Sequence, residues 1–115
     1  MRRALGKWGE DIAADYLRQR GYRIITRNFR TRAGEIDIVC RRGRLLVFVE
    51  VKTRNGTTYG SPEESITPAK QRQIRQLALA YLDNNRMPFE EVRFDVIGIL
   101  LREGQPEINH LEAAF

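Results

Sequence analysis

Two segments of the chain carry apolar residues at the three- and four-residue spacing of an amphipathic helix. The first segment covers residues 4–20, and Gly21 directly after it predicts a C-cap. The second begins at Thr67 and Pro68, typical of an N-cap and a first helical position, and runs to residue 84 or 85. The predicted buried stripes are Leu5, Trp8, Ile12, Ala13, Tyr16 and Leu17 in the first helix, and Ile74, Leu77, Ala78, Tyr81 and Leu82 in the second.

Four shorter segments, rich in β-branched and aromatic residues, predict strands. They cover residues 22–29, 34–41, 44–53 and 93–101, and residues 107–115 are a candidate edge strand. Residues 55–65 hold two glycines and a proline among short polar residues and predict a mobile loop. The order α-β-β-β-α-β-(β) predicts one α/β domain over residues 1–115, with a central mixed β-sheet flanked by helices.

The strand around residues 48–52 carries charge where its pattern predicts burial. Glu50 and Lys52 are two residues apart, so they point to the same face of the strand. Burying two charges is costly unless each is paired, and a strand that tolerates them is typical of a functional site. The alternative is a structural ion pair of Lys52 with Glu50 or Glu35 on a solvated face, and the sequence leaves both interpretations open.

The hairpin between the second and third strands predicts which residues accompany Glu50. A two-residue turn at residues 42–43 would pair residue 41 with 44 and Asp37 with Phe48. One face is then wholly apolar, with Ile36, Ile38, Cys40, Leu45, Val47, Val49 and Val51. The other face carries Glu35, Asp37, Phe48, Glu50 and Lys52. Asp37 and Glu50 become diagonal neighbours about 7–8 Å apart at the backbone, and a divalent cation between them would remove their repulsion.

This arrangement predicts metal-dependent phosphodiester chemistry, because Mg²⁺ prefers carboxylates, water and phosphate oxygens as ligands. Lys52 would lie beside the attacking water or the scissile phosphate and offset negative charge there. Glu10 lies at the edge of the first apolar stripe, and Gly6 and Gly9 would let this helix approach another backbone closely. The alternative for Glu10 is a surface glutamate near a helix N-terminus.

The charge balance of the chain indicates which class of partner to expect. Lys and Arg number 20 against 15 Asp and Glu, which gives a net charge of +5. Arginine dominates and suits bidentate contact with phosphate, so DNA is the expected partner, and a basic surface that only aids solubility is the alternative. A single cysteine, a charged N-terminus and apolar runs shorter than about 18 residues predict a cytoplasmic protein with no membrane partner.

These residues resemble the PD-(D/E)xK nuclease superfamily. Within it, the pattern is similar to the archaeal Holliday junction resolvases and, more closely, to the YraN-like family of bacterial endonuclease-like proteins. The similarity covers nearly the whole chain, with one departure, because Ile36 stands where the superfamily has a proline before its aspartate. The matching motifs are Gly9-Glu10, Gly21-Tyr22, Arg27-Asn28-Phe29-Arg30, Gly34-Glu35-Ile36-Asp37, Phe48-Val49-Glu50-Val51-Lys52-Thr53-Arg54, Tyr59-Gly60 and Arg93-Phe94-Asp95-Val96.

The resemblance implies a restriction-endonuclease-like or resolvase-like core and a metal-dependent endonuclease acting on DNA, including branched or structured DNA. The implied catalytic residues are Glu10, Asp37, Glu50 and Lys52. The implied ligands of Mg²⁺, for which Mn²⁺ would substitute, are Asp37, Glu50, Glu10 and Val51. A homodimer is implied if the protein acts on junctions as resolvases do. A non-catalytic nucleic-acid-binding module that keeps the nuclease fold is the alternative.

Other polar residues are assigned more simply. Candidates for contact with the nucleic-acid backbone are Arg27, Arg30, Arg32, Arg54 and Lys70. A plain surface role explains Lys70 equally well. Arg93 and Asp95 share a strand face and predict a structural pair, and Cys40 is expected in the core. His110 has no partner at ligand spacing, so no role is expected for it.

Overall fold

A five-stranded mixed sheet with one helix on each face makes up the part of the protein that the computed structural model describes, residues 3–55 and 66–115. The elements are α1 (Arg3–Gln19), β1 (Arg23–Thr31), β2 (Gly34–Arg42), β3 (Leu45–Asn55), α2 (Pro68–Asn84), β4 (Glu91–Arg102) and β5 (Gln105–Leu111). The strands lie in chain order, and each neighbouring pair is antiparallel except β3 and β4, which are parallel. The predicted α/β fold class is confirmed.

The parallel pair explains where α2 lies. Parallel strands cannot be joined by a tight turn and need a crossover, which is commonly a helix. Here Leu45 pairs with Glu91 at one end of the two strands and Asn55 with Leu101 at the other. The connection between β3 and β4 includes α2. This helix packs on the face of the sheet opposite α1.

Each helix buries its apolar stripe against its own face of the sheet. The core on the α1 side contains Ala13, Ala14, Leu17, Tyr22, Ile38, Cys40, Val47, Val49, Ile97 and Ile99. The core on the α2 side contains Ile36, Val39, Phe48, Leu77, Ala78 and Tyr81. In α2 the predicted stripe is buried except for Leu82, which is partly buried. In α1 the predicted Ala13 and Leu17 are buried, Leu5, Trp8, Ile12 and Tyr16 are partly buried, and Ala14 is buried although it was not predicted. Cys40 is a buried thiol as expected.

The helix ends follow the predicted capping residues. Gly21 has a left-handed φ of 89°, and the N–H of Tyr22 after it donates to the Leu17 carbonyl at 3.0 Å. At the start of α2, the Thr67 hydroxyl accepts a hydrogen bond from the Lys70 N–H at 3.1 Å, and Pro68 is the first helical residue. Both caps are confirmed.

The predicted register of the β2–β3 hairpin is wrong by two residues. Arg42 pairs with Leu45, so the turn consists of Gly43 and Arg44. Gly43 has a φ of 63° and occupies the first central position of the turn, which is the glycine position of a type II′ hairpin. A shift of two residues does not by itself move a side chain to the other face, whereas a shift of one would have exchanged the faces.

The prediction that Ile36 shares a face with Ile38 is also wrong. Ile38 lies in the core on the α1 side, whereas Ile36 lies in the core on the α2 side. Since residues i and i+2 share a face in a regular strand, the chain must rotate at Asp37 between them. On the neighbouring strand β1, the residue across from Asp37 is Asn28, which has a left-handed φ of 56°.

Some predictions fall at or beyond the edge of the described residues. Asn55 ends β3, and the rest of the predicted loop, including Tyr59, lies outside them. The predicted edge strand is confirmed as β5, although it begins and ends earlier than residues 107–115. Of the two helices in the described ranges, neither is long and apolar enough to cross a membrane.

Candidate functional site

The site begins where β2 and β3 stop pairing. Their paired residues end at Ile38 and Val49. Beyond this point the carboxylate of Asp37 accepts a hydrogen bond from the backbone N–H of Val51 at 2.8 Å. A side chain thus takes the place of a backbone acceptor, and Asp37 is held at a fork between the two strands.

A cavity of about 430 Å³ lies at this fork, between α1, β2, β3 and the first turn of α2. It is lined by Leu5, Gly6, Glu10, Glu35, Asp37, Glu50, Val51, Thr53 and Lys70. Four of the five predicted catalytic or metal-binding residues are therefore brought together in the lining: Glu10, Asp37, Glu50 and Val51. The fifth, Lys52, is joined to them through Glu50, since its Nζ lies 3.5 Å from Glu50 Oε2.

Close packing of α1 on β3 brings Glu10 to the cavity. A Cβ atom at Gly9 would lie 3.0 Å from the Thr53 Cβ and closer still to its hydroxyl oxygen. Only a glycine fits there without a shift, as the expectation for Gly9 required. The next residue, Glu10, is 6% exposed and lines the cavity beside Asp37.

Three carboxylates converge in this cavity. One oxygen from each of Glu10, Glu35 and Asp37 lies within 4.8 Å of the others. The side-chain amide of Asn28 donates to Glu10 Oε1 at 3.0 Å and to Glu35 Oε2 at 2.8 Å. Glu35 was absent from the predicted ligand set, although the Gly34-Glu35-Ile36-Asp37 motif contains it. The convergence places it with Glu10 and Asp37.

Glu50 contacts ammonium groups from both a strand and a helix. Its Oε2 lies 3.5 Å from Lys52 Nζ and 3.7 Å from Lys70 Nζ. The predicted Glu50–Lys52 ion pair therefore exists, but the face is not solvated, since the Glu50 side chain is only 10% exposed. Lys70, predicted as a nucleic-acid contact, reaches the same carboxylate from α2.

Two carboxylates of the cavity, Asp37 and Glu50, have pKa values above their ordinary values. Burial raises the pKa of Asp37, the nearby Glu50 carboxylate raises it further, and the Val51 N–H bond opposes both, which leaves the pKa at about 7. Burial also raises the pKa of Glu50, against the opposing effect of Lys70 and Lys52. Such shifts at clustered groups in a cavity are typical of functional sites.

The predicted arginine contacts are distributed unevenly around the cavity. Arg27 donates to Asp11 of α1 at 2.7 Å, and Arg30 lies 3.4 Å from Glu35 Oε1. Arg32 is exposed in the turn between β1 and β2. Arg54 lies on β3 just beyond Thr53, where it pairs with β4. Arg30 thus contacts a cavity carboxylate directly.

His110 has partners that the sequence did not reveal. Its Nε2 lies 2.7 Å from Asp95 Oδ2, and its Nδ1 lies 3.2 Å from the Tyr16 hydroxyl. Arg93 donates twice to the Asp95 carboxylate at 2.8 Å, which confirms the predicted structural pair. No role was expected for His110, and the structure gives it these contacts within the fold. The sequence could not show the contact with Tyr16, because the two residues are 94 positions apart and no local spacing points to it.

Fold and site together define an α/β protein with a carboxylate-lined cavity at a strand fork. Residues 9–99 match the model of the uncharacterised protein family UPF0102, and the chain belongs to this family. The resemblance to the YraN-like family is thereby confirmed. The UPF0102 protein of Syntrophomonas wolfei is 50% identical over 115 residues, covering 100% of both chains. That of Syntrophotalea carbinolica is 51% identical over 114 residues, covering 99% of this chain and 93% of its own.

The similarity to a solved structure is much weaker. Pyrococcus furiosus SfsA, solved in complex with Ca²⁺, superposes with a TM-score of 0.35 and 17% sequence identity. The match covers 96% of this chain and 63% of that one. A likeness at this level carries no argument about function.

Proposed function

We propose that this protein is a metal-dependent endonuclease that hydrolyses phosphodiester bonds in DNA, including branched or structured DNA. The observation that supports it most directly is the convergence of Glu10, Glu35 and Asp37, whose oxygens lie within 4.8 Å of one another in a cavity. Lys70 lines the same cavity and Lys52 contacts Glu50 of its lining, so positive charge is available to a phosphate group. The resemblance to PD-(D/E)xK nucleases supports the same reaction from the sequence.

The donor set suits a hard divalent cation. All three converging groups offer oxygen atoms, which Mg²⁺ prefers, and Mn²⁺ accepts the same ligands. Three buried or half-buried carboxylates repel one another unless a proton or a cation lies between them. Glu50 and Val51, the other ligands implied by the resemblance, line the same cavity. A bound Mg²⁺ supplies polarisation of a phosphate oxygen and a lower pKa for a coordinated water.

The lysines provide the complementary charge. Lys52 is 29% exposed and Lys70 is 32% exposed, so each ammonium group can meet a ligand in the cavity mouth while it contacts Glu50. In the proposed reaction Lys52 orients the nucleophile or donates to the scissile phosphate, where negative charge develops. Lys70 donates to a neighbouring phosphate oxygen from the side of α2.

The arginines support DNA as the substrate. Arg30 and Arg32 lie at or beside the turn that leads to Glu35, and both are exposed. Contacts from these side chains to the phosphate backbone would orient the duplex without reading its sequence. A homodimer would carry two such cavities, which paired cuts at a junction require.

A cleavage assay tests the proposal. Labelled duplex, single-stranded and four-way-junction DNA are incubated with the protein and either Mg²⁺ or Mn²⁺. We expect cleavage that falls at least about a hundredfold in Asp37→Asn, Glu50→Ala and Lys52→Ala, since each removes a group that acts in the transition state. Matched controls are Glu107→Gln, an exposed carboxylate on β5, and Lys7→Ala, an exposed lysine on α1.

Two results would contradict the proposal. Cleavage that is unchanged in Asp37→Asn and Lys52→Ala would remove the proposed roles from these residues. DNA binding that weakens steeply with salt, without metal binding or cleavage in any substrate, would instead identify a non-catalytic binding module.

A further inference from the structure

Asn28 ties together two carboxylates that come from different elements. Its amide nitrogen donates to Glu10 Oε1 of α1 at 3.0 Å and to Glu35 Oε2 of β2 at 2.8 Å. An amide group has two N–H hydrogens, so one side chain serves both carboxylates at once. Asn28 has no part in the proposed reaction, although it touches two of the three converging residues.

The backbone of β1 is irregular at this point. In a regular strand, successive side chains point to opposite faces. Here Arg27 and Asn28 are consecutive, yet both reach α1, where Arg27 donates to Asp11 at 2.7 Å and Asn28 donates to Glu10. The left-handed φ of 56° at Asn28 accounts for this, because it breaks the regular alternation of side-chain directions at that residue. Asparagine adopts this conformation more readily than most residues other than glycine.

The chemistry of the amide suits the task of holding metal ligands. Two neighbouring glutamate carboxylates repel each other, and each glutamate side chain has three rotatable bonds. A neutral donor between them holds both without adding positive charge at that point, so their negative charge remains for a cation. The Arg30 guanidinium lies 3.4 Å from the other Glu35 oxygen, Oε1. Hydrogen bonds of this kind orient the ligands in many metal sites.

We infer that Asn28 is a positioning residue that holds Glu10 and Glu35 at the separation that one divalent cation requires. The inference rests on the proposed function, since it concerns the same cavity. It predicts that metal affinity depends on the Asn28 amide, and that the left-handed backbone can be kept when the amide is removed.

The test is Mn²⁺ binding to Asn28→Gly, measured by isothermal titration calorimetry. Glycine accepts a left-handed φ, so this variant removes the donor and keeps the backbone conformation. We expect binding about 10- to 100-fold weaker than in the wild type, the usual effect of losing such a contact. Asn109→Gly, which removes an exposed amide from β5, is the matched control and should bind Mn²⁺ like the wild type.

The outcomes separate this inference from the proposed function. If the wild type and Asn109→Gly bind Mn²⁺, Asp37→Ala does not, and Asn28→Gly binds as tightly as the wild type, the inference is overturned and the metal site stands. If the wild type itself binds no Mn²⁺, both are overturned.

A second measurement tests the inference without metal and without the Asn28→Gly variant. In the NMR spectrum of the metal-free wild type, we expect the side-chain amide protons of Asn28 to exchange slowly with solvent. Their signals should shift in both Glu10→Gln and Glu35→Gln, because each substitution changes one acceptor. Signals that exchange rapidly and stay unchanged in both variants would overturn the inference.

Discussion

Asp37 accepts a hydrogen bond from the backbone N–H of Val51 at 2.8 Å, so a side chain continues the contact between β2 and β3 where their backbone pairing ends. The fork that results is what makes room for a cavity inside an otherwise continuous sheet. The same contact places Asp37 beside Glu50, which follows the fork on β3. One carboxylate therefore has both a structural and a proposed chemical role.

The raised pKa of Asp37 predicts how the stability of the metal-free protein depends on pH. Burial raises this pKa from an ordinary 3.8 to about 7, so the folded state binds the proton more tightly than the unfolded state. The contribution of Asp37 is therefore most favourable at low pH and declines as pH rises from about 4 to about 7. In urea unfolding across this range, the unfolding free energy of the wild type minus that of Asp37→Asn should fall as the pH rises, because asparagine does not titrate.

Asp11 is a control for that measurement, because its pKa is lowered whereas that of Asp37 is raised. The hydrogen bond from Arg27 holds the pKa of Asp11 below its ordinary value despite some desolvation. Its contribution is present above the unfolded pKa and is lost as pH falls below it. A difference curve for Asp37→Asn that is flat, or that follows the curve for Asp11→Asn, would contradict the assignment.

The same pKa predicts a pH dependence for metal binding. A cation at Asp37 must displace its proton whenever the pH lies below about 7. We expect the apparent affinity for Mn²⁺ to be about tenfold weaker at about pH 6 than at about pH 8, which corresponds to one released proton. Calorimetry in two buffers of different ionisation enthalpy would count that proton. Equal affinity at both pH values, with no proton released, would contradict the prediction.

Substituting Gly9 should move Glu10 away from the cavity. An added Cβ would overlap the Thr53 side chain, including its Cβ, so Thr53 must rotate or α1 must shift from β3. We expect Gly9→Ala to lower the unfolding free energy by about 1–3 kcal/mol, the usual cost of overpacking, and to weaken Mn²⁺ binding as well. Adding Thr53→Ala should restore part of both losses, since it removes the hydroxyl that the new methyl group meets. A Gly9→Ala variant with unchanged stability and metal affinity would exclude this close contact.

The sequence predicted the elements well because burial imposes a period on them. The stripe of α2 is an example, since Ile74, Leu77, Ala78 and Tyr81 are all buried as predicted. The faces of β2 and β3 were predicted correctly near Val47 and Val49 for the same reason. The register of the β2–β3 hairpin was predicted wrongly. It depends on whether Gly43 occupies the first or the second position of the turn, and either position suits a glycine.

The site was predicted only in part, because its geometry depends on irregular backbone. Glu10, Asp37 and Glu50 were found from motif and charge, and the structure brings them to one cavity. Glu35 and Asn28 join the site only because Asn28 has a left-handed backbone and because the chain rotates at Asp37. Neither irregularity leaves a periodic signal in the sequence. Asparagine in a predicted strand was the one available sign, since it is uncommon there.

Cys40 should be unreactive in the folded protein. It is fully buried in the core on the α1 side, and burial raises its pKa to about 12, so the reactive thiolate is scarce at neutral pH. Iodoacetamide should modify it in urea and leave it unmodified in buffer over the same time, as followed by mass spectrometry. Modification at equal rates in both conditions would contradict its placement in the core.

The Asp95 network should stabilise the fold independently of the cavity. Asp95 is almost fully buried and accepts hydrogen bonds from Arg93 and from the Ala113 N–H, while His110 lies 2.7 Å away. Burial alone would raise its pKa, but the contacts with His110 and Arg93 hold it below the ordinary value, so the group is an anion in the folded state.

Asp95→Ala would remove the carboxylate to which the largely buried Arg93 guanidinium donates twice, and would leave it the Tyr22 hydroxyl at 2.7 Å and Glu112 at 3.6 Å. We expect a loss of about 3–5 kcal/mol in unfolding free energy, measured with urea. Glu107→Ala removes an exposed carboxylate paired with Arg102 on the same two strands, and should cost about 0–1 kcal/mol. The fraction of Asp95→Ala that remains folded should bind Mn²⁺ like the wild type, because Asp95 contacts Arg93, His110 and the Ala113 N–H, all of which lie outside the cavity lining. Weakened binding by the folded fraction would show instead that the network also supports the cavity.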